Sequence, residues 1–92
     1  MRSIVGGSIV GMSIILETMD IREKIGVKIK KVREGKSYSI EYLANISDVD
    51  RNYISDIEKG QRNVSIAVLE RIIIALELDF AAFFSDKIFM KK

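Results

Sequence analysis

The sequence has no cysteine, no histidine, no proline and no tryptophan. Without cysteine and histidine there are no disulfides, no Cys/His metal centre, no thiol nucleophile and no imidazole base. Proton transfer near neutral pH would fall to Asp, Glu, Lys or Tyr, and the sequence clusters no pair of them that would tune a pKa, so an enzyme is the weakest reading. The absence of proline, beside many Ile, Leu, Glu and Lys, favours helices over punctuated strands.

An excess of one charge is also missing. Fifteen Lys and Arg stand against thirteen Asp and Glu, and a net charge of +2 is too small for a global attraction to nucleic acid. Even between Lys30 and Arg62 the basic residues (Lys30, Lys31, Arg33, Lys36, Arg51, Lys59, Arg62) barely outnumber the acidic ones (Glu34, Glu41, Asp48, Asp50, Asp56, Glu58). Any binding to DNA must come from sorting these charges onto faces. What remains is a 92-residue chain, 48% hydrophobic and 30% charged, suited to one domain with a single modest core.

Residues 1–16 differ from the rest. Ser-Ile-Val-Gly at 3–6 recurs at 8–11, in a segment that is apolar, glycine-rich and nearly uncharged. The run is too short and too interrupted to span a bilayer, and it makes a poor signal peptide. It is expected to be either an extension without a role in the fold or, over Ser8 to Leu16, a strand that pairs with its symmetry mate in a dimer. The chain thus divides into an N-terminal apolar extension (1–19), a helical domain (20–86) and a short tail (87–92), which either adds a strand or is loose.

Within the domain, Ile21, Ile25, Ile29 and Val32 form the apolar stripe of a first helix over Asp20 to Glu34, which Gly35 is expected to end. Residues 39–60 then read as two short helices joined by a tight turn. Ser39 is the expected cap of the first, with Ile40, Leu43 and Ala44 turned inward. Asp48 is expected in a left-handed conformation in the turn, with Val49 returning to the core. Asp50 caps the second helix, in which Ile54 and Ile57 face inward and Arg51, Asn52, Ser55, Asp56 and Lys59 lie on the outer face or at the leading end. Gly60 closes it. Ser65 caps a largely apolar helix running to about Leu78, and Asp79 caps a last short one, Phe80 to Phe84. Three phenylalanines there exceed what so small a core readily buries, which marks them as a candidate interface.

An outer face so rich in hydrogen-bonding groups suits the major groove. At Leu43-Ala44, Val49, Tyr53-Ile54, Ile57-Glu58, Gly60, Arg62-Asn63 and Ser65, followed by Leu69, Ile72, Ala75 and Leu76, the sequence resembles the Cro/cI-like (XRE-type) helix-turn-helix regulators over roughly residues 21–84. Asp50-Arg51-x-Tyr53-Ile54-Ser55 with Arg62-Asn63 looks most like the controller proteins of restriction–modification systems. Two positions depart from the pattern: Ile40 stands where the family usually has a glutamine on the DNA backbone, and Asp48 where the turn usually has glycine.

The resemblance implies an all-α, five-helix, lambda-repressor-like DNA-binding domain that acts as a homodimeric transcriptional regulator, a repressor or operon controller, on a palindromic operator in the cytoplasm, without cofactor, metal or membrane. The expected base contacts are Arg51, Asn52, Ser55, Asp56 and Arg62, with arginine forks on guanine and Asp56 either accepting from a cytosine amino group or orienting an arginine. Expected phosphate contacts are Lys31, Lys36, Ser39, Asp50, Tyr53, Asn63 and Ser65. Glu58 is expected to tie its helix to a basic neighbour such as Arg62. Ile73, Phe80, Phe83 and Phe84 are expected at the two-fold interface. The alternative is a protein-interaction module, an antitoxin-like subunit reusing the fold, whose apolar N-terminus binds a partner chain.

Overall fold

The computed structural model describes residues 19–90. The proposed strand over Ser8 to Leu16 lies outside the described residues. Those residues form five α-helices, α1 (Ile21–Gly35), α2 (Ile40–Ser47), α3 (Arg51–Glu58), α4 (Ile66–Ala75) and α5 (Phe80–Phe83), followed by a 3-10 turn at Lys87–Phe89, with no strand among them.

Each helix starts on a side chain able to accept from its first free amides. Asp20 caps α1 and completes a capping box, with the Glu23 carboxylate accepting from the Asp20 amide at 3.0 Å. Ser39, Asp50, Ser65 and Asp79 cap the other four, as their sequence positions predict. The helix ends share a different device. After α1, α2, α3 and α4 one residue turns left-handed, at Ser37 (φ 61°), Asp48 (φ 57°), Gly60 (φ 75°) and Glu77 (φ 65°). Each of these residues and its successor donate back to the last helical turn, closing a Schellman motif. Gly35 is the last residue of α1 but not its left-handed terminator. It stays helical, and the reversal falls two residues later so that Tyr38 lands against the core, as Val49 and Leu78 do after their own turns.

The core consists of Ile25 and Ile29 of α1, Leu43 of α2, Val49 of the turn, Ile54 and Ile57 of α3, Leu69, Ile72 and Ile73 of α4, then Leu76 and Phe83. Each such side chain contributes about 1.5–3 kcal/mol on full burial. α1 lies against α3 closely enough that a Cβ on Gly26 would collide with the Ile57 and Glu58 carbonyl oxygens. Residues 87–89, set apart in the sequence as a tail, bury Ile88 and bring Phe89 against Phe83 and Phe84, with ring centroids 5.8 and 4.7 Å apart. That extra ring is why α5 hides more of its aromatics than composition suggests.

Two ion-pair groups hold the frame. Arg33 of α1 donates from Nε and Nη2 to the Glu58 carboxylate at 2.7 and 3.0 Å and from Nη1 to the Tyr38 carbonyl at 2.8 Å. Both side chains are nearly buried, and the Glu58 hydrogen bond, followed by their charge attraction, raises the Arg33 pKa against the opposing effect of burial. Glu58 therefore pairs with α1 and not with Arg62. At the other side of α1, Asp86 accepts from Lys28 and Lys31 at 3.1 and 2.7 Å. These hydrogen bonds, Lys31's first, hold the Asp86 carboxyl well below the usual carboxylate range and staple the 3-10 turn to α1.

Candidate nucleic-acid interface

The turn between α2 and α3 is held from below. Arg71, the only cation of α4, donates to the carbonyl oxygens of Ser47, the last residue of α2, and of Asp48, which caps it. The Ser47 hydroxyl is buried and donates back to Leu43 at 2.6 Å. With Ile54 and Ile57 anchored in the core, α3 can present only one face outward. That face carries Arg51 and Asn52 at its leading end, then Ser55, Asp56 and Lys59.

At the leading end, the Asp50 carboxylate accepts from the Asn52 and Tyr53 amides at 2.9 and 3.2 Å. Arg51 donates from Nε to Glu41, in the first turn of α2, at 2.7 Å. This hydrogen bond is the main cause of a lowered Glu41 pKa. It holds one edge of the guanidinium, beside an open depression that Glu41 and Arg51 border together with Tyr42, Ala44 and Asn45. At the trailing end, Arg62 lies 4.6 Å over the Tyr53 ring, and its Nε is 3.4 Å from the Asp56 carboxylate. Arg51 with Glu41 at the leading end, and Tyr53, Asp56 and Arg62 at the trailing end, thus form the two ends of a polar strip along α3 and its following loop.

Exposed Asn63 follows in the loop, and exposed Ser65 begins α4 by accepting from the Val68 amide at 3.1 Å. Ser39 does the same for α2, accepting from Tyr42 at 3.0 Å.

Several expected site residues stand elsewhere. Lys31 points to Asp86, on the side of α1 that faces the 3-10 turn, whereas Arg33 two residues on points to α3; the helical period separates the two sides. Lys36 donates to Glu77, just past the end of α4, at 3.1 Å, so both lysines expected on phosphate are engaged within the chain. The Asp56 carboxylate lies beside Arg62, the arrangement that its role of orienting an arginine requires. Ile73 and Phe83 are wholly buried in the chain's own core and offer no surface to a partner. Phe80 and Phe84 remain half-buried with stacked rings 6.2 Å apart, while Ile66 and Ile74 of α4, not singled out in the sequence, are 77% and 63% exposed.

Sequence reasoning also missed Glu41 and Arg71. The one available signal for Arg71 was a lone cation in a helix whose only other charged residue is Glu70; Glu41 gave none, since its partner sits ten positions on across a turn.

Among the described residues no helix is long and apolar enough to cross a membrane, and no cluster of three potential metal-binding side chains occurs.

A family model described as "Helix-turn-helix" matches residues 29–83. The chain is 44% identical over 68 residues to the control protein C.MunI of a Mycoplasma species, covering 73% of this chain and 92% of that one. It is 48% identical over 60 residues to the control protein C.BamHI of Bacillus amyloliquefaciens, covering 64% and 74% respectively. Its fold is similar to that of the restriction–modification controller protein C.Esp1396I, solved as a tetramer in complex with its natural 35 base-pair operator, with a TM-score of 0.68 and 41% identity over 72% of this chain and 87% of that one. The chain therefore belongs to the helix-turn-helix family, and its relatives there include the control proteins of restriction–modification systems.

Proposed function

We propose that this protein is a sequence-specific DNA-binding transcriptional regulator that acts as a homodimer on a palindromic operator and controls a restriction–modification operon containing its own gene. The observation that carries the reading is the strip along α3, where two half-exposed arginines, at the leading end and just past the trailing end, each have Nε beside a carboxylate. An arginine fork so presented matches guanine O6 and N7 in the major groove. The free amides at the starts of α2, α3 and α4, beside Ser39, Asp50 and Ser65, suit phosphate oxygens, with Asn63 nearby.

One such unit reads only a few base pairs, and a second copy supplies the rest. Exposed Ile74 in the last turn of α4, with half-buried Phe80 and Phe84, supports a two-fold contact through this end of the molecule. Two α3 helices then meet successive major grooves about 34 Å apart. We assign the protein no enzymatic activity and no cofactor, and place it in the cytoplasm. Footprinting on the DNA upstream of its own reading frame tests this. Two protected half-sites about one helical turn apart are expected; uniform or absent protection would overturn the proposal.

A further inference from the structure

We infer that Asp56 is a positioning residue that sets DNA specificity by holding Arg62, and that it reads no base itself. The inference rests on the DNA-binding reading above and names how one of its contacts is made selective.

Arg62 sits in the loop after α3, about half exposed, where an unrestrained arginine would sample many rotamers and pair with any phosphate within reach. Phosphate contacts carry no sequence information, so such a side chain would strengthen all binding alike. Here the guanidinium is restrained by a ring and a carboxylate, and the backbone before it by a hydrogen bond. The Tyr53 ring lies beneath it at 4.6 Å, the Asp56 carboxylate lies 3.4 Å from Nε, and the Asp56 carbonyl accepts from the Gln61 amide at 2.9 Å, fixing the backbone just before Arg62. One residue of α3 therefore ties down both the loop backbone and the side chain that the loop carries.

The choice of edge matters. The Asp56 carboxylate lies on the Nε side, so a guanidinium held there has its terminal Nη pair for a ligand, and such a pair presents two parallel donors to guanine O6 and N7. The carboxylate is itself about one third exposed on the outer side of α3, where it repels phosphate. It thus lowers the attraction of this end of the strip for DNA in general, while the docked fork keeps its geometric match to the right base. A cytosine contact by Asp56 would require the carboxylate to leave Arg62 and give up this restraint.

The test is a double-mutant cycle by fluorescence anisotropy. Wild type, Asp56→Asn, Arg62→Ala and the double variant are titrated on duplexes tiling the DNA upstream of the gene and on a scrambled duplex, at two salt concentrations. Asp56→Asn is expected to bind the scrambled duplex more tightly, with a steeper salt dependence, and to lose roughly fivefold in the ratio of specific to scrambled affinity. In the Arg62→Ala background the same substitution should leave that ratio unchanged. An unchanged ratio in the wild-type background, or an equal fall in both backgrounds, overturns the inference while leaving DNA recognition standing. A wild type that does not distinguish any upstream duplex from the scrambled one overturns the DNA-binding reading, and the inference with it.

Discussion

Arg33 and Glu58 are joined by two hydrogen bonds, of 2.7 and 3.0 Å, with their side chains only 9% and 5% exposed. The pair locks the end of α1 to the end of α3, and so fixes the angle at which α3 leaves the core. Arg33→Ala would leave the Glu58 carboxylate buried beside α1 without its cation. The expected cost is about 3–5 kcal/mol of stability, read by urea denaturation, since breaking one side of a buried pair costs far more than the pair contributes. A loss below about 1 kcal/mol, the level of exposed pairs, would contradict the assigned burial.

The closeness of α1 and α3 makes a second position sensitive. Gly26→Ala, a substitution that ordinarily strengthens a helix by about 1 kcal/mol, would here drive a methyl group into the Ile57 and Glu58 carbonyls. Thermal unfolding should show a net loss of about 1–3 kcal/mol, as for other overpacked contacts. A gain would mean that the helices separate easily.

Asp86 links stability to pH. Its carboxyl is held below the ordinary value near 3.8 by Lys31, the Ile88 amide and Lys28, so folding favours its charged form. A depressed carboxylate contributes stability that is fully present above its unfolded pKa and is lost as pH falls toward the folded one. Asp86→Asn should therefore lower Tm at neutral pH, and the gap between variant and wild type should narrow once the pH drops below about 4. A gap that widens on acidification would reverse the sign and reject the assignment.

Asp48 occupies a left-handed position that glycine takes more cheaply, and its carboxylate is exposed beside the reading face. Asp48→Gly is expected to stabilise the fold by up to about 1 kcal/mol and to tighten binding to all duplexes by removing a negative charge. Stability follows from denaturant titration, and affinity from anisotropy on matched and scrambled DNA. Weaker binding to both would show that the Asp48 side chain takes part in holding DNA.

These outcomes also show where the sequence was informative. The caps at Ser39, Asp50, Ser65 and Asp79 were legible because a cap is a local contract between an oxygen and amides two or three residues on. The left-handed Asp48 was legible from the turn itself. Ser37 and Glu77 were not, because their reversals are set by where Tyr38 and Leu78 must land in the core. Lys31 and Lys36 looked like charges free for phosphate and Glu58 like a partner of nearby Arg62, yet each found a partner 25 to 55 positions away. Phe83 and Phe84 are neighbours of identical type, and only the way α5 docks on the rest of the core, with Phe83 turned into it and Phe84 against its edge, decides which of the two is buried deeper.

The central claim is that α3 reads DNA through Arg51 and Arg62. The most direct measurement is an anisotropy titration of wild type and Arg51→Ala on upstream and scrambled duplexes at two salt concentrations, with the oligomeric state of both checked by sedimentation. The account predicts that wild type prefers an upstream duplex with a steep salt dependence, and that Arg51→Ala loses about tenfold or more of that preference while remaining dimeric. Equal, weak binding of wild type to both duplexes, or a preference that survives Arg51→Ala intact, would contradict it.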